Sequence, residues 1–84
     1  LGTIAVMATL RMFASVREAA GDRSVTIEGT TVGEVVTAAS EKFGEHFAAL
    51  IPTCKIWVNG EPADLDTSIN ASDEVAILPP VSGG

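Results

Sequence analysis

Thr31-Val32-Gly33-Glu34-Val35-Val36-Thr37-Ala38-Ala39-Ser40-Glu41-Lys42-Phe43-Gly44 is the stretch that decides the fold. Thr31 is a residue type that caps helix N-termini, and Glu34 stands three positions later, where a capping box needs a carboxylate. Val32, Val35, Val36, Ala39 and Phe43 recur at helical spacing and make one apolar stripe. Lys42 suits the negative end of the helix dipole, and Gly44 suits the cap that ends it. A helix from Val32 to Phe43 rises roughly 18 Å, enough to cross one face of a small sheet. Its valines lose side-chain freedom in a helix, so packing against a sheet must supply much of its stability.

Working outward, the flanking segments read as strands. Ala8 to Phe13 alternates: Leu10 and Met12 share one parity, Arg11 and Phe13 the other. The charge of Arg11 marks its side as the wetter face, which makes Phe13 a candidate exposed aromatic. Ser15 to Ala20 predicts a short helical turn ended by Gly21 and Asp22, and Ser24 to Glu28 a second strand with Val25 and Ile27 inward. After the helix, Glu45 to Leu50 predicts another helical turn, limited by Pro52. Cys54 to Val58 is the third strand, and Asn59-Gly60 is a two-residue hairpin signal. The return strand, Glu61 to Ala63, carries Pro62 and is assigned to an edge. Ile69 anchors the next loop, Ser72-Asp73 turns, and Glu74 to Leu78 is the last strand, stopped by Pro79-Pro80. Strands around one main helix make an α+β arrangement. The compact solution is a β-grasp, or ubiquitin-like, fold: a mixed sheet with the helix across one face and the first and last strands adjacent at its centre.

At 84 residues the chain predicts one domain over residues 7–84, with 79–84 as a protruding tail. Residues 1–6 read equally as a lengthened first strand, a tag remnant or an upstream extension, with Met7 resembling a natural start. Five basic against eleven acidic side chains give a net charge of -6, which argues against a nucleic-acid or anionic-membrane partner. The apolar runs are too short to span a membrane. One cysteine, Cys54, makes neither an internal disulfide nor a multi-thiolate site, and a cytoplasmic location is expected.

Side-chain chemistry is sparse. His46 is the sole histidine and reads as a solvated surface residue. A His46–Cys54 nucleophile pair oriented by Glu41 or Glu45 has no local motif behind it. Asp64, Asp66, Asp73 and Glu74 form an acidic region whose spacing fits no calcium loop, so it reads as a solvated rim, and no metal site is expected. Phosphate-cradling glycine motifs are missing.

The final residues, Asp73-Glu74-Val75-Ala76-Ile77-Leu78-Pro79-Pro80-Val81-Ser82-Gly83-Gly84, resemble the ending of the MoaD family, the small sulfur-carrying subunit of molybdopterin synthase. Phe13-Ala14-Ser15-Val16-Arg17-Glu18-Ala19-Ala20-Gly21 is similar to that family's opening segment, and Val58-Asn59-Gly60 sits where its second hairpin falls. The resemblance implies that the reactive group is the Gly84 carboxylate. A MoeB-like adenylating enzyme would join it to AMP, using ATP and Mg2+. A sulfur donor system would then convert it to a thiocarboxylate. A MoaE-like large subunit would receive Pro79, Pro80, Val81, Ser82 and Gly83 and hold most of the pterin substrate, cyclic pyranopterin monophosphate. No permanently bound cofactor is implied, and the chain is not catalytic alone. Gly83 and Gly84 lack side chains, which suits a narrow cleft, and the prolines stiffen the exit from the sheet.

In a β-grasp sheet, the parity of Phe13, Trp57 and Leu78 predicts an exposed apolar patch beside the tail, a candidate partner surface. The alternatives are a sulfur carrier for thiamine synthesis, resembling ThiS, a carrier for cysteine synthesis, a ubiquitin-like modifier joining Gly84 to a lysine, and a protein-binding domain that carries nothing.

Overall fold

In a computed structural model that describes residues 6–80, the Val32–Phe43 helix lies across a five-stranded mixed sheet. The expectations for residues 1–5 and for Val81, Ser82, Gly83 and Gly84 lie outside the described residues. Strand β1 (Met7–Met12) pairs antiparallel with β2 (Ser24–Glu28), Met7 facing Glu28 and Arg11 facing Ser24. The last strand, β5 (Glu74–Leu78), runs parallel to β1, with Thr9 against Glu74 and Met12 against Ile77. On its other side β5 pairs antiparallel with β3 (Lys55–Val58), which in turn carries the edge strand β4 (Glu61–Pro62). The order β2-β1-β5-β3-β4 puts the first and last strands side by side in the middle. This is the α+β β-grasp arrangement.

Three helices cover one face: α1 (Ala14–Ala20), the dominant α2 (Val32–Phe43) and α3 (Glu45–Leu50). The stripe on α2 does what its spacing requires. Val32, Val35, Val36 and Ala39 are buried and Phe43 is half-buried, packed against Ala8, Leu10 and Met12 of β1 and Val75 and Ile77 of β5 in one core. Phe47 of α3 is fully buried, its ring centroid 5.1 Å from that of Phe43. Each such side chain contributes about 1.5–3 kcal/mol by leaving water.

Several local expectations shift: the return strand, for one, ends at Pro62 rather than Ala63, and α1 begins at Ala14 rather than Ser15. The first strand ends at Met12, not Phe13, because the Phe13 carbonyl accepts from the amides of Val16 and Arg17 and so starts α1. The third strand begins at Lys55, since the Cys54 amide closes the Ile51–Thr53 turn by donating to Ile51. Thr31 does cap α2, its hydroxyl accepting from the Glu34 amide at 3.2 Å. The Glu34 carboxylate, however, reaches Thr30 rather than Thr31, accepting from its amide at 2.7 Å and its hydroxyl at 2.9 Å. Thr31 itself lies opposite Ser68 in an isolated antiparallel bridge whose hydrogen bonds are made by the residues on either side of it.

That bridge belongs to a strap that no local pattern announced. The Val32 amide donates to Thr67 at 2.9 Å and the Gly33 amide to Leu65 at 2.8 Å, while Ile69 donates back to Thr30 at 3.0 Å. Amides that the helix leaves unpaired at its start are thereby satisfied by distant chain. Gly29 is buried under this corner; a β-carbon there would sit 2.9 Å from both the amide nitrogen and a methyl of Val35.

Candidate functional site

The open face of the sheet is built by strand alternation. Residues of β1, β5 and β3 that do not enter the core form rows across the three central strands. The register places Arg11, Ala76 and Trp57 in one row. The next row has Leu78 opposite Lys55, and Phe13 follows in line on the other side as β1 leaves its ladder. Phe13 is 39% exposed, and Trp57 and Leu78 are half-buried. The structure therefore brings Phe13, Trp57 and Leu78 onto one face around the end of β5, away from the helices.

Charged groups frame this apolar surface. The Arg11 guanidinium lies 3.6 Å from the Glu74 carboxylate and 5.7 Å from the centre of the Phe13 ring. It thus spans the two rows, an arrangement that parity indicated only as a wet position. Ala14, directly after Phe13, has φ 51°. A left-handed conformation at a residue with a β-carbon costs about 1–2 kcal/mol and turns the chain sharply from strand to helix beside the exposed ring.

The chain leaves the sheet next to this surface. β5 is held on both sides, so its end is a fixed exit; Pro79 is half-buried and Pro80 exposed. The other end of β5 is fixed by the Asn59-Gly60 hairpin, whose residues take φ 52° and 84°. Asn59 Nδ2 donates to Asp73 Oδ1 at 2.9 Å, and Asn59 Oδ1 accepts from the Glu74 amide at 2.9 Å. The Asn70 amide donates to the second Asp73 oxygen at 2.8 Å. These bonds, led by that from Asn59, hold the Asp73 carboxyl below its ordinary value of 3.8. Asp73 is therefore a structural clamp, not part of a merely solvated rim. Glu74 faces Arg11, and among the described residues no three His, Cys, Asp or Glu side chains gather as a metal cluster.

The remaining nucleophile candidate points elsewhere. The half-buried Cys54 Sγ donates to the Leu50 carbonyl at 3.1 Å, and partial burial pushes its thiol above the ordinary 9.0. His46 is exposed on α3. Neither has the activated setting of a catalytic pair.

A β-grasp sheet with an apolar open face at the exit of its last strand is the architecture of the ubiquitin-like proteins. Comparison with known proteins makes this specific. The ThiS family model matches residues 10–84. Small archaeal modifier protein 1 of Haloferax volcanii is 35% identical over 85 residues, covering 88% of this chain and 97% of that protein. The solution structure of small archaeal modifier protein 1 from Methanosarcina acetivorans superposes with a TM-score of 0.87 at 28% identity, covering 98% of this chain and 100% of that one. A chain from the complex of subunits 1 and 2 of molybdopterin-converting factor from Helicobacter pylori 26695 gives a TM-score of 0.71 at 26% identity, with 93% of this chain and 99% of that one covered. The chain belongs to the ThiS family, within the β-grasp superfamily of sulfur carriers and ubiquitin-like modifiers. No described helix is long and apolar enough to cross a membrane.

Proposed function

We propose that this chain is a ubiquitin-like modifier whose C-terminal Gly84 is activated and joined to lysines of other proteins. The observation that carries the reading is the likeness to an archaeal modifier over nearly the full length of both chains, with the family match running through Gly84. An adenylating enzyme of the MoeB kind docks on Phe13, Trp57 and Leu78. Pro79 and Pro80 direct the tail off the sheet, and Val81, Ser82 and Gly83 thread into the enzyme's cleft. The Gly84 carboxylate attacks the α-phosphate of Mg2+-bound ATP, releasing pyrophosphate and forming an acyl adenylate. A lysine amine then attacks the acyl carbon, AMP leaves, and an isopeptide bond remains.

A second reading shares the activation step, and the likeness to the molybdopterin-converting factor complex favours it. There a hydrosulfide equivalent from a donor system attacks the acyl carbon and AMP leaves, giving a thiocarboxylate. A MoaE-like large subunit would then pass that sulfur to cyclic pyranopterin monophosphate.

Incubation with the activating enzyme, ATP, Mg2+ and lysine-bearing acceptors tests the first reading by intact mass. Acceptors should gain the mass of this chain less one water, in a bond that thiols do not cleave. One residue added after Gly84 should abolish both adenylate and conjugate while the thermal transition stays in place. Equal conjugation by intact and extended chains would sink the reading. Dithiolene formation with a large subunit, without conjugates, would establish the second reading instead.

A further inference from the structure

The helix layer stops short of one side of the sheet. The backbone of α1 lies nearest β1 and β5, and that of α2 nearest β2 and α3. Between the flank of α2 and the Ile51–Thr53 turn lies an open trough of about 820 Å3. Val36, Ile51, Cys54 and Ile56 are its apolar lining, and Leu65 forms one lip. Leu65 is 55% exposed, more than Met7 or Phe13, and only its backbone is used in the strap over α2. Past Thr37 and Glu41 the trough continues into a recess of about 510 Å3 reaching Gly44 and Ala48. From Gly33 to Gly44 the helix rises roughly 16 Å, the length of three helical turns.

The rim has one sign of charge. Glu34, Glu41 and Asp66 line the trough and Glu45 lines the recess, and among the described residues neither is lined by a lysine or arginine. Apolar lining inside an acidic rim is complementary to an amphipathic segment with a basic polar side. The same charge disfavours a second copy as occupant, since the chain itself carries -6.

We propose that this trough is a second docking surface, distinct from the open sheet face, that takes a short basic amphipathic helix of a partner protein. Its Leu or Ile stripe lies on Val36, Ile51 and Ile56, and its Lys or Arg residues face Glu34, Glu41 and Asp66. Leu65 closes over the apolar stripe from the strap side. A modifier so equipped engages one protein through Phe13, Trp57 and Leu78 while a different one reads the helix side. The surface does not depend on activation of Gly84, so its test is independent of that chemistry.

The probe is a Lys/Leu amphipathic peptide of about twelve residues, matched to the trough length, with a Glu/Leu peptide as control. Binding to the full chain is followed by backbone amide NMR shifts and by the rate at which a thiol reagent modifies Cys54, the one cysteine. Shifts should fall on Thr37, Glu41, Ile51 and Leu65, and Cys54 modification should slow at saturating peptide. The paired reversal Glu41→Lys and Asp66→Lys should weaken binding roughly tenfold or more at low salt. Leu65→Ser, which removes apolar contact without adding charge, should do the same without touching the core. The Glu/Leu control should leave both readouts unchanged. Shifts centred on Phe13, Trp57 and Leu78, affinity indifferent to both sets of substitutions, or no binding at all would overturn the proposal. Concentration-dependent shifts in the trough without peptide would also overturn it, by making a second copy the occupant.

Discussion

Strand β5 presents two faces made from five consecutive residues, and they obey different demands. Val75 and Ile77 point under the helices and have no exposure, while Glu74, Ala76 and Leu78 point to the open side, where Glu74 meets Arg11 and Leu78 remains half-buried. The inner face is satisfied within the molecule. The outer face keeps apolar surface at the exit of the strand, beside Phe13 and Trp57, with no helix of the described residues over it. The lesson of the contrast is that alternate residues of the same strands build the core, which leaves the residues between them free for the docking role proposed above.

The strongest test of that separation is truncation on the inner face. Phe47→Ala should cost about 3–5 kcal/mol and Ile77→Ala about 2–5 kcal/mol, read from urea unfolding, because both leave cavities in a closed core. Costs below 1 kcal/mol for both would break the contrast. Next comes Gly29→Ala at the buried corner under α2. The new methyl meets the Val35 backbone, which has nowhere to yield, so a loss of about 1–3 kcal/mol is expected. Thr31→Ala removes the cap of the covering helix and should cost about 1 kcal/mol.

On the outer face the expectation reverses. Phe13→Ser, Leu78→Ser and Arg11→Ala should each change stability by less than about 1 kcal/mol, as exposed or half-buried positions do. Phe13→Ser and Leu78→Ser should nonetheless weaken binding to the activating enzyme tenfold or more, as apolar anchors at a docking patch do. Unchanged affinity, measured by calorimetry, would remove the partner role from this face.

The smallest effect expected is acid sensitivity at two hydrogen-bonded carboxylates. The Thr30 amide, followed by the Thr30 hydroxyl, lowers the Glu34 carboxyl from 4.5, and Asn59 with Asn70 lowers Asp73 from 3.8. A folded pKa below the unfolded one contributes stability that is complete above the unfolded value and lost as pH falls through the folded value. Stability should therefore decline below 4.5 for Glu34 and below 3.8 for Asp73. Glu34→Gln and Asp73→Asn should each flatten the slope in its own window, leaving the neutral-pH fold in place.

Much of this was legible locally. The span of α2 follows from one cap, one stripe and one glycine, and the Asn59-Gly60 turn from the positive φ that both residues tolerate. The α+β arrangement followed from the order of elements. The site was half legible: the parity of Phe13, Trp57 and Leu78 identified a common face once the strands were ordered. Nothing local foretold that Glu34 would bond Thr30 rather than Thr31, that Asp73 would clamp Asn59, or that carbonyls of Leu65 and Thr67 would close the start of α2.

What the sequence by itself determined are the features set within a turn or two of chain: the caps, the hairpin, the two-residue alternation and the apolar stripe. Their energies come from neighbouring groups, so neighbouring residues suffice to read them. Tertiary structure alone decided the parallel register of β1 against β5, the strap from Leu65 to Ile69 over α2, and the trough between α2 and the Ile51–Thr53 turn. These join residues tens of positions apart, brought together only when the shared apolar core offsets the entropy of closing the intervening chain.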